Sequence, residues 1–158
     1  MYTVYISHSV RPWELAQVYV LAQETQKQGL DSFIPDRAWD PNGPLPAYVV
    51  QPLREAQVVL LFATLGGRHH EWVNAELRVA SKARLVAMAE MGVQLQVLAP
   101  KDVVQFDRGA DMAAVVGAVV ERLRDLPLEN RNKNLVTGLI VGGLVLLLLR
   151  GLQEGGEE

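Results

Sequence analysis

An uninterrupted apolar run near the C-terminus constrains this chain more than any other feature of its sequence. Residues 135–149 read LVTGLIVGGLVLLLL, with no charge and with Thr137 as the only polar side chain. As a helix this run would extend over roughly 22 Å, which is short for a hydrocarbon core of about 30 Å. The following residues lengthen it, because the Arg150 side chain can reach back to the interface. The pattern predicts a transmembrane helix over residues 135–152.

The alternative for this run is a buried C-terminal helix of a folded domain. A core helix normally shows a polar face, and this run has none, which favours the membrane. Residues 127–134, PLENRNKN, are polar and predict a hinge, and residues 153–158 form a short acidic tail. Basic side chains precede the run, and the positive-inside rule then predicts a single-pass protein of the cell membrane with a cytoplasmic N-terminal domain. These side chains are Arg122, Arg124, Arg131 and Lys133.

Two glycines of the apolar run, Gly138 and Gly142, have the GxxxG spacing. Small residues on one helix face allow two helices to approach closely, which predicts a homo-oligomer. The alternative is that glycine is simply frequent in membrane helices.

The overall composition of the chain excludes several classes of function. The chain has 158 residues, no cysteine and a formal net charge of −3. The length predicts one domain, and the missing cysteines exclude disulfide scaffolds, thiol nucleophiles and thiolate zinc sites. The charge does not suggest a nucleic-acid partner. The first residues, MYTVYISHS, lack the features of a secretory signal.

Residues 1–126 alternate strand-like and helix-like segments. This order predicts an α/β fold, with a parallel sheet of about five strands and helices on both faces. Residues 35–46 hold four prolines and a glycine, which predicts a loop. The strands are expected at residues 3–6, 32–34, 58–63, 93–98 and 103–106, and the helices at 12–29, 47–56, 71–91 and 110–126. Ligands of such sheets bind beyond the carboxyl ends of the strands, here near residues 7–9, 36–43 and 64–72.

Glu76 stands out on the helix expected from residue 71. On a helical wheel it falls with Trp72 and a group of alanines and valines, opposite the charged side. A carboxylate on an inward face is costly unless it is paired or faces a cavity, and such positions are enriched in function. The alternative is an acid that serves the helix dipole, but Glu76 lies late in the helix for that role.

Together these segments resemble a Toll/interleukin-1 receptor (TIR) domain of the NAD-cleaving bacterial type. The opening VYISHS, the loop DRAWDPNGP after the second strand, and the apolar strand VVLLFAT followed by EWVNAEL carry the resemblance. EWVNAEL contains the spacing Trp72-x-x-x-Glu76. The resemblance covers residues 1–126 and implies a flavodoxin-like TIR fold with a C-terminal transmembrane helix appended.

The resemblance implies an NAD+ nucleosidase, a glycohydrolase or cyclase that releases nicotinamide, with Glu76 as the catalytic carboxylate. NAD is then the substrate, with no cofactor and no metal. A carboxylate beside the ribose stabilises an oxocarbenium-like transition state. The resemblance further implies a role in bacterial antiphage defence and activation by self-assembly through TIR contacts, with the lipid bilayer raising local concentration.

Six other residues are candidates for substrate binding, each with a structural alternative. Ser7 and Ser9 end the first strand and either bind ribose or phosphate or cap the next helix. Trp39 either stacks on a base or packs its own loop, and Trp72 either walls the ribose pocket or is plain core. Asp36 and Arg37 are expected to shape the same pocket. His69 and His70 are adjacent, so their side chains diverge, which argues against a metal site.

Two other functions fit the sequence. One is a non-catalytic TIR adaptor or scaffold that acts by TIR–TIR contacts, although a scaffold does not need an inward carboxylate. The other is a nucleoside deoxyribosyltransferase-like enzyme, which has a similar sheet and also uses a glutamate on ribose chemistry. Product analysis with NAD and with a deoxynucleoside separates them.

Overall fold

The computed structural model describes residues 2–107 and 111–155, and for Gln17, Met112 and residues 144–155 it describes the backbone alone. The strands are β1 Val4–Ser9, β2 Ser32–Phe33, β3 Val58–Ala63, β4 Leu85–Glu90 and β5 Val103–Phe106. The helices are α1 Pro12–Lys27, α2 Ala47–Glu55, α3 His70–Leu77, α4 Met112–Arg124 and α5 Asn130–Gly155. Single 3-10 turns, Lys82–Arg84 and Pro100–Asp102, precede β4 and β5.

The five strands form one parallel sheet in the order β2-β1-β3-β4-β5, which is the flavodoxin-like doubly wound order. The α/β class and the parallel five-stranded sheet are therefore confirmed. The register aligns Ser7 with Leu61, Ala87 and Val103 across four strands. Residues aligned in this way point to the same face, because side chains alternate along each strand.

Two separate cores cover the sheet. We call front face the side covered by α1, α4 and α5, and back face the side covered by α2 and α3. The front core contains Ile6, Phe62 and Met88, and the back core contains Tyr5 and Leu61. Helices therefore lie on both faces, as the alternating order predicted.

The apolar C-terminal run begins as part of the front core. Val136, Leu139 and Ile140 are at most 1% exposed. A Cβ on Gly142 would lie 3.0 Å from the side chain of Leu21 in α1, and one on Gly143 would lie 3.3 Å from Phe62 in β3. Residues 135–143 thus pack along the domain as a core helix does.

This placement differs from the predicted membrane span. In the part of the chain that the structure describes, no helix is long and apolar enough to cross a bilayer. The predicted span 135–152 is therefore not supported, since its first nine residues fill the front core and the side chains of 144–152 lie outside the described residues. Residues 135–143 lack a charged face because they pack between α1, α4 and the sheet.

The segments on either side of the run also differ in detail. Residues 127–134, predicted as a hinge, contain the buried Leu128 and the start of α5 at Asn130. Helix α5 continues to Gly155, so residues 153–155 of the predicted acidic tail are helical, and 156–158 lie outside the described residues.

The region after Glu76 corrects two predicted elements. The helix expected over residues 71–91 ends at Leu77, and residues Leu85–Glu90 form β4 instead. The strand expected over 93–98 was wrong, because those residues lie in the connection between β4 and β5. The five residues before Glu90, LVAMA, are all apolar, so periodicity does not separate a buried parallel strand from a buried helix.

The remaining elements follow the predicted pattern. Strand β3 has the predicted bounds, and no regular element interrupts residues 35–46. Gly29 adopts a φ of 96° just after α1, the left-handed conformation in which glycine commonly ends a helix.

Candidate active site

Glu76 lies on α3 with its side chain against β1, and it is fully buried. Tyr5 and Ser7 are two residues apart on β1 and therefore point to the same back face. Helix α3 packs directly on this strand. The inward carboxylate predicted from the helical wheel is thus confirmed as a buried group at the sheet.

Three side chains satisfy the Glu76 carboxylate. The hydroxyl of Tyr5 donates to Oε2, and the hydroxyl of Ser7 donates to Oε1 at 3.0 Å. The Arg37 guanidinium lies 2.6 Å from Oε1. A buried carboxylate needs such partners, because removing an ion from water without them costs several kcal/mol.

Burial and its partners act in opposite directions on this carboxylate. Burial raises the pKa of Glu76, while Arg37 and the hydrogen bonds from Tyr5 and Ser7 oppose that rise. Burial, and then the neighbouring Glu76 carboxylate, raise the pKa of Tyr5 far above its ordinary value. The Tyr5 hydroxyl therefore stays protonated and acts as a donor. The arrangement is a preorganised polar cluster within an otherwise apolar back face.

Arg37 joins the loop after β2 to this cluster. Its guanidinium donates to the backbone carbonyl of His8 at 2.7 Å, and its side chain is only 6% exposed. Arg37 therefore spans from the end of β1 to the carboxylate on α3. With Arg37 in this position the Glu76 carboxylate is enclosed.

The two tryptophans lie together beside this loop. Trp72 donates its ring N–H to the Trp39 carbonyl at 2.7 Å, and Trp39 donates its own to the Asp36 carbonyl at 3.0 Å. Trp39 is buried in the back core and Trp72 packs against that core. Trp72 therefore holds the loop onto α3, and the Trp39 ring stabilises the loop itself.

Asp36 and Ser9 stabilise loops without touching Glu76 through any hydrogen bond of the described residues. Asp36 is exposed, and its carboxylate accepts from the Tyr48 hydroxyl at 2.9 Å and from the Ala38 amide at 3.2 Å. Ser9 accepts from the His69 amide at 3.0 Å. A Cβ on Gly67 would lie 2.0 Å from the Ser9 carbonyl, so only glycine permits this close approach.

Three histidines lie near the carboxyl end of β1. His8 is buried, its Nε2 lies 3.3 Å from the Pro35 carbonyl, and its Nδ1 has no partner among the described residues. Burial and then Arg37 lower the pKa of His8 to about 3, and the same two causes lower the pKa of His69. Both rings are therefore neutral at pH 7. Within residues 2–107 and 111–155, no three His, Cys, Asp or Glu side chains form a group able to hold a metal ion.

Of the predicted site residues, Ser7, Arg37 and Glu76 come into direct contact. Trp39 and Trp72 form a second group, linked to the first through the loop that carries Arg37. Tyr5 was missed as a site residue, yet the strand period offered a signal for it: Tyr5 must share a face with Ser7. The His8 carbonyl and Tyr48 had no comparable signal, because their contacts depend on the conformation of the loop over residues 35–46.

Comparison with known proteins adds no further assignment. No protein-family model, curated protein or solved structure matches the chain.

Proposed function

We propose that this protein is a TIR-like NAD+ nucleosidase that breaks the bond between nicotinamide and ribose, with Glu76 as the catalytic carboxylate. The observation that carries the proposal is the position of Glu76. It is a buried carboxylate against the middle of β1, and its partner Arg37 connects it to His8 near the carboxyl end of that strand, the end at which doubly wound sheets bind ligands. The order of the motifs along the chain adds support.

The chemistry needs little more than a well-placed negative charge. As the glycosidic bond breaks, nicotinamide leaves with the bonding electrons and positive charge develops on the ribose. The Glu76 carboxylate stabilises that charge, and water or an internal nucleophile then attacks the same carbon. Ser7 donates to the same carboxylate, so of the remaining residues it is the one we assign to orient a ribose hydroxyl beside Glu76.

Arg37 has to leave the carboxylate before this reaction begins. A cation 2.6 Å from Glu76 neutralises the charge that the transition state requires. We therefore expect a resting state of low activity. Self-assembly that rearranges the loop over residues 35–46 would release Glu76, and a role in antiphage defence would supply the need for such control.

The test is nicotinamide release from NAD by the purified full chain, dilute and also concentrated on liposomes. Glu76→Gln keeps the size and shape of the side chain and removes its charge, and it replaces one acceptor oxygen by an NH2 donor. Glu71→Gln is the matched control, because Glu71 is an exposed acid on the same helix. Release by the parent and by Glu71→Gln, and none by Glu76→Gln, is expected. No release by folded parent in either state would overturn the proposal.

A non-catalytic adaptor is the second candidate, and the enclosure of Glu76 favours it. A carboxylate saturated by Arg37, Tyr5 and Ser7 is also what a purely structural buried ion pair requires. An adaptor would bind a TIR partner without consuming NAD. A deoxyribosyltransferase-like enzyme would instead exchange the base of a deoxynucleoside, which the same product analysis detects.

Membrane attachment is a separate proposal that rests on the sequence of residues 135–149. The predicted topology puts the N-terminal domain in the cytoplasm. For the run to cross a bilayer, α5 would have to leave the front face, where Val136 and Ile140 are buried. Extraction of membranes with alkaline carbonate tests this: a spanning chain stays in the pellet, and release of folded protein to the supernatant contradicts the proposal.

A further inference from the structure

The connection between β4 and β5 contains no α-helix. Residues 91–99 form turns and loop before a single 3-10 turn, whereas α2 and α3 cover the rest of the back face. Beneath this connection lies a cavity of about 290 Å³. Its size is just under the range of about 300–1,000 Å³ typical of sites for whole small ligands, so it suits a single ring system.

The lining of this cavity is neutral, with apolar walls and a set of carboxamides. Ala89, Leu98 and Val103 are among the apolar walls, and Gln94, Gln96 and Gln105 supply the amides. All three glutamines are exposed at the cavity mouth. A carboxamide offers a donor and an acceptor side by side, and this pair matches the N6 amino group and N7 of adenine.

The register locates this cavity relative to Glu76. Val103 is aligned with Ser7, the partner of Glu76, and Gln105 is aligned through Ala89 and Ala63 with Ser9. The cavity therefore opens on the same back face, at the level of Ser7 to Ser9, just toward the carboxyl ends of the strands from Glu76, which is held at Tyr5 and Ser7. Strands lie about 4.8 Å apart, so β4 and β5 lie roughly 10–15 Å from β1. A dinucleotide bound with one end at Glu76 can reach that far with its other end.

We propose that this amide-lined cavity between β4 and β5 binds a purine base, the adenine end of the dinucleotide whose other end is cleaved at Glu76. The choice of NAD rests on the proposed function, whereas the preference for adenine rests on the cavity itself. Nicotinamide must lie at Glu76 for cleavage, so the remote cavity takes the other base.

Titration calorimetry of adenosine with the full chain tests whether the cavity binds the base. No reaction is needed for this measurement. The double variant Gln96→Leu/Gln105→Leu removes two amides from exposed positions. Gln51→Leu is the matched control, since Gln51 is an exposed glutamine on α2 away from the cavity. We expect saturable binding, weakened about tenfold or more by the double variant and unchanged by the control. 7-Deazaadenosine, which lacks the N7 acceptor, should also bind more weakly than adenosine.

The outcomes separate this inference from the proposed function. If adenosine binding depends on the two glutamines but no nicotinamide is released, the cavity binds a purine and the proposed nucleosidase activity is refuted. If nicotinamide is released and the KM for NAD is unchanged in the double variant, the nucleosidase activity stands and purine binding in the cavity is refuted. No saturable adenosine binding, or binding that the double variant leaves intact, also overturns the inference.

Discussion

The front and back faces of the sheet are filled with different chemistry. On the front, α1, α4 and α5 bury aliphatic side chains such as Val119, Val136 and Ile140 against β1, β3 and β4. On the back, the apolar core surrounds a charged cluster in which Arg37 and Glu76 meet. A substitution on the front face removes only apolar contacts. A substitution of Arg37 or Glu76 on the back face leaves the other charge buried without a partner.

This difference indicates that the functional site lies on the back face. An apolar core stabilises roughly in proportion to buried area and tolerates many side chains of similar volume. A buried ion pair contributes little net stability, because the cost of removing both charges from water offsets their attraction. Its presence is therefore better explained by a specific role.

The largest effect is expected for Arg37→Met. It leaves the Glu76 carboxylate buried without its cation, which should lower the free energy of unfolding by about 3–5 kcal/mol. Urea denaturation followed by circular dichroism measures this. Arg78→Met, an exposed arginine at the end of α3, is the control and should change stability by at most about 0.5 kcal/mol.

Adding Glu76→Gln to Arg37→Met should recover most of the lost stability, because no buried charge is then left alone. A double variant as unstable as the sum of the two single variants would show that the ion pair is not the coupled unit described here.

Ile140→Ala probes the front face. Ile140 is fully buried, so its truncation should cost about 2–5 kcal/mol of unfolding free energy. Val141→Ala on the same helix is the control and should cost less, because Val141 is only half-buried. Parent-like stability of Ile140→Ala would mean that α5 is not part of the domain core, and would return the run to the membrane interpretation.

His8 makes stability depend on pH. Its pKa is about 3 in the folded chain against an ordinary value of 6.5, so between these values the unfolded chain binds a proton that the folded chain does not. Stability is therefore complete above pH 6.5 and falls as the pH falls, by about 2 kcal/mol between pH 7 and pH 5 from this group alone.

His8→Gln should reduce that pH slope, whatever its effect on absolute stability. Denaturation midpoints of both proteins at pH 7 and pH 5 provide the comparison. Equal slopes in parent and variant would show that His8 is not buried in its neutral form.

The smallest effects concern the two glycines of the GxxxG spacing. Nothing lies within 4 Å of a Cβ placed on Gly138, so Gly138→Ala should raise stability by about 0.5–1 kcal/mol through helix propensity. Gly142→Ala should gain less, because its Cβ meets Leu21 at 3.0 Å. Sedimentation analysis tests the self-association prediction: if both variants associate more weakly than the parent, these glycines form a contact between chains.

The sequence predicted the fold through short-range rules. Proline at the start of α1, glycine after it, and the continuous apolar strand β3 each specify their own local conformation. These rules also predicted the inward position of Glu76. They failed for Leu85–Glu90, and they did not predict that residues 135–143 pack in the front core, since a mostly apolar segment indicates only that it is buried. Whether a strand, a core helix or a bilayer buries it depends on partners that are distant in the sequence.

The candidate site was predictable in part for the same reason. The positions of Ser7 and Glu76 follow from strand and helix periods, and the two side chains meet over the middle of β1. The pairing of Arg37 with Glu76 depends on the path of a loop with four prolines, which no periodicity describes. The partners that enclose the carboxylate are therefore the part that required the structure.

Nicotinamide release per folded molecule, measured side by side for the parent, Glu76→Gln and Ile140→Ala, tests the contrast between the two faces most directly. The predicted result is that Glu76→Gln loses release while remaining folded, and that Ile140→Ala loses stability while its folded fraction releases nicotinamide at the parent rate. Parent-level release by folded Glu76→Gln would contradict the assignment of the back-face carboxylate as the catalytic group.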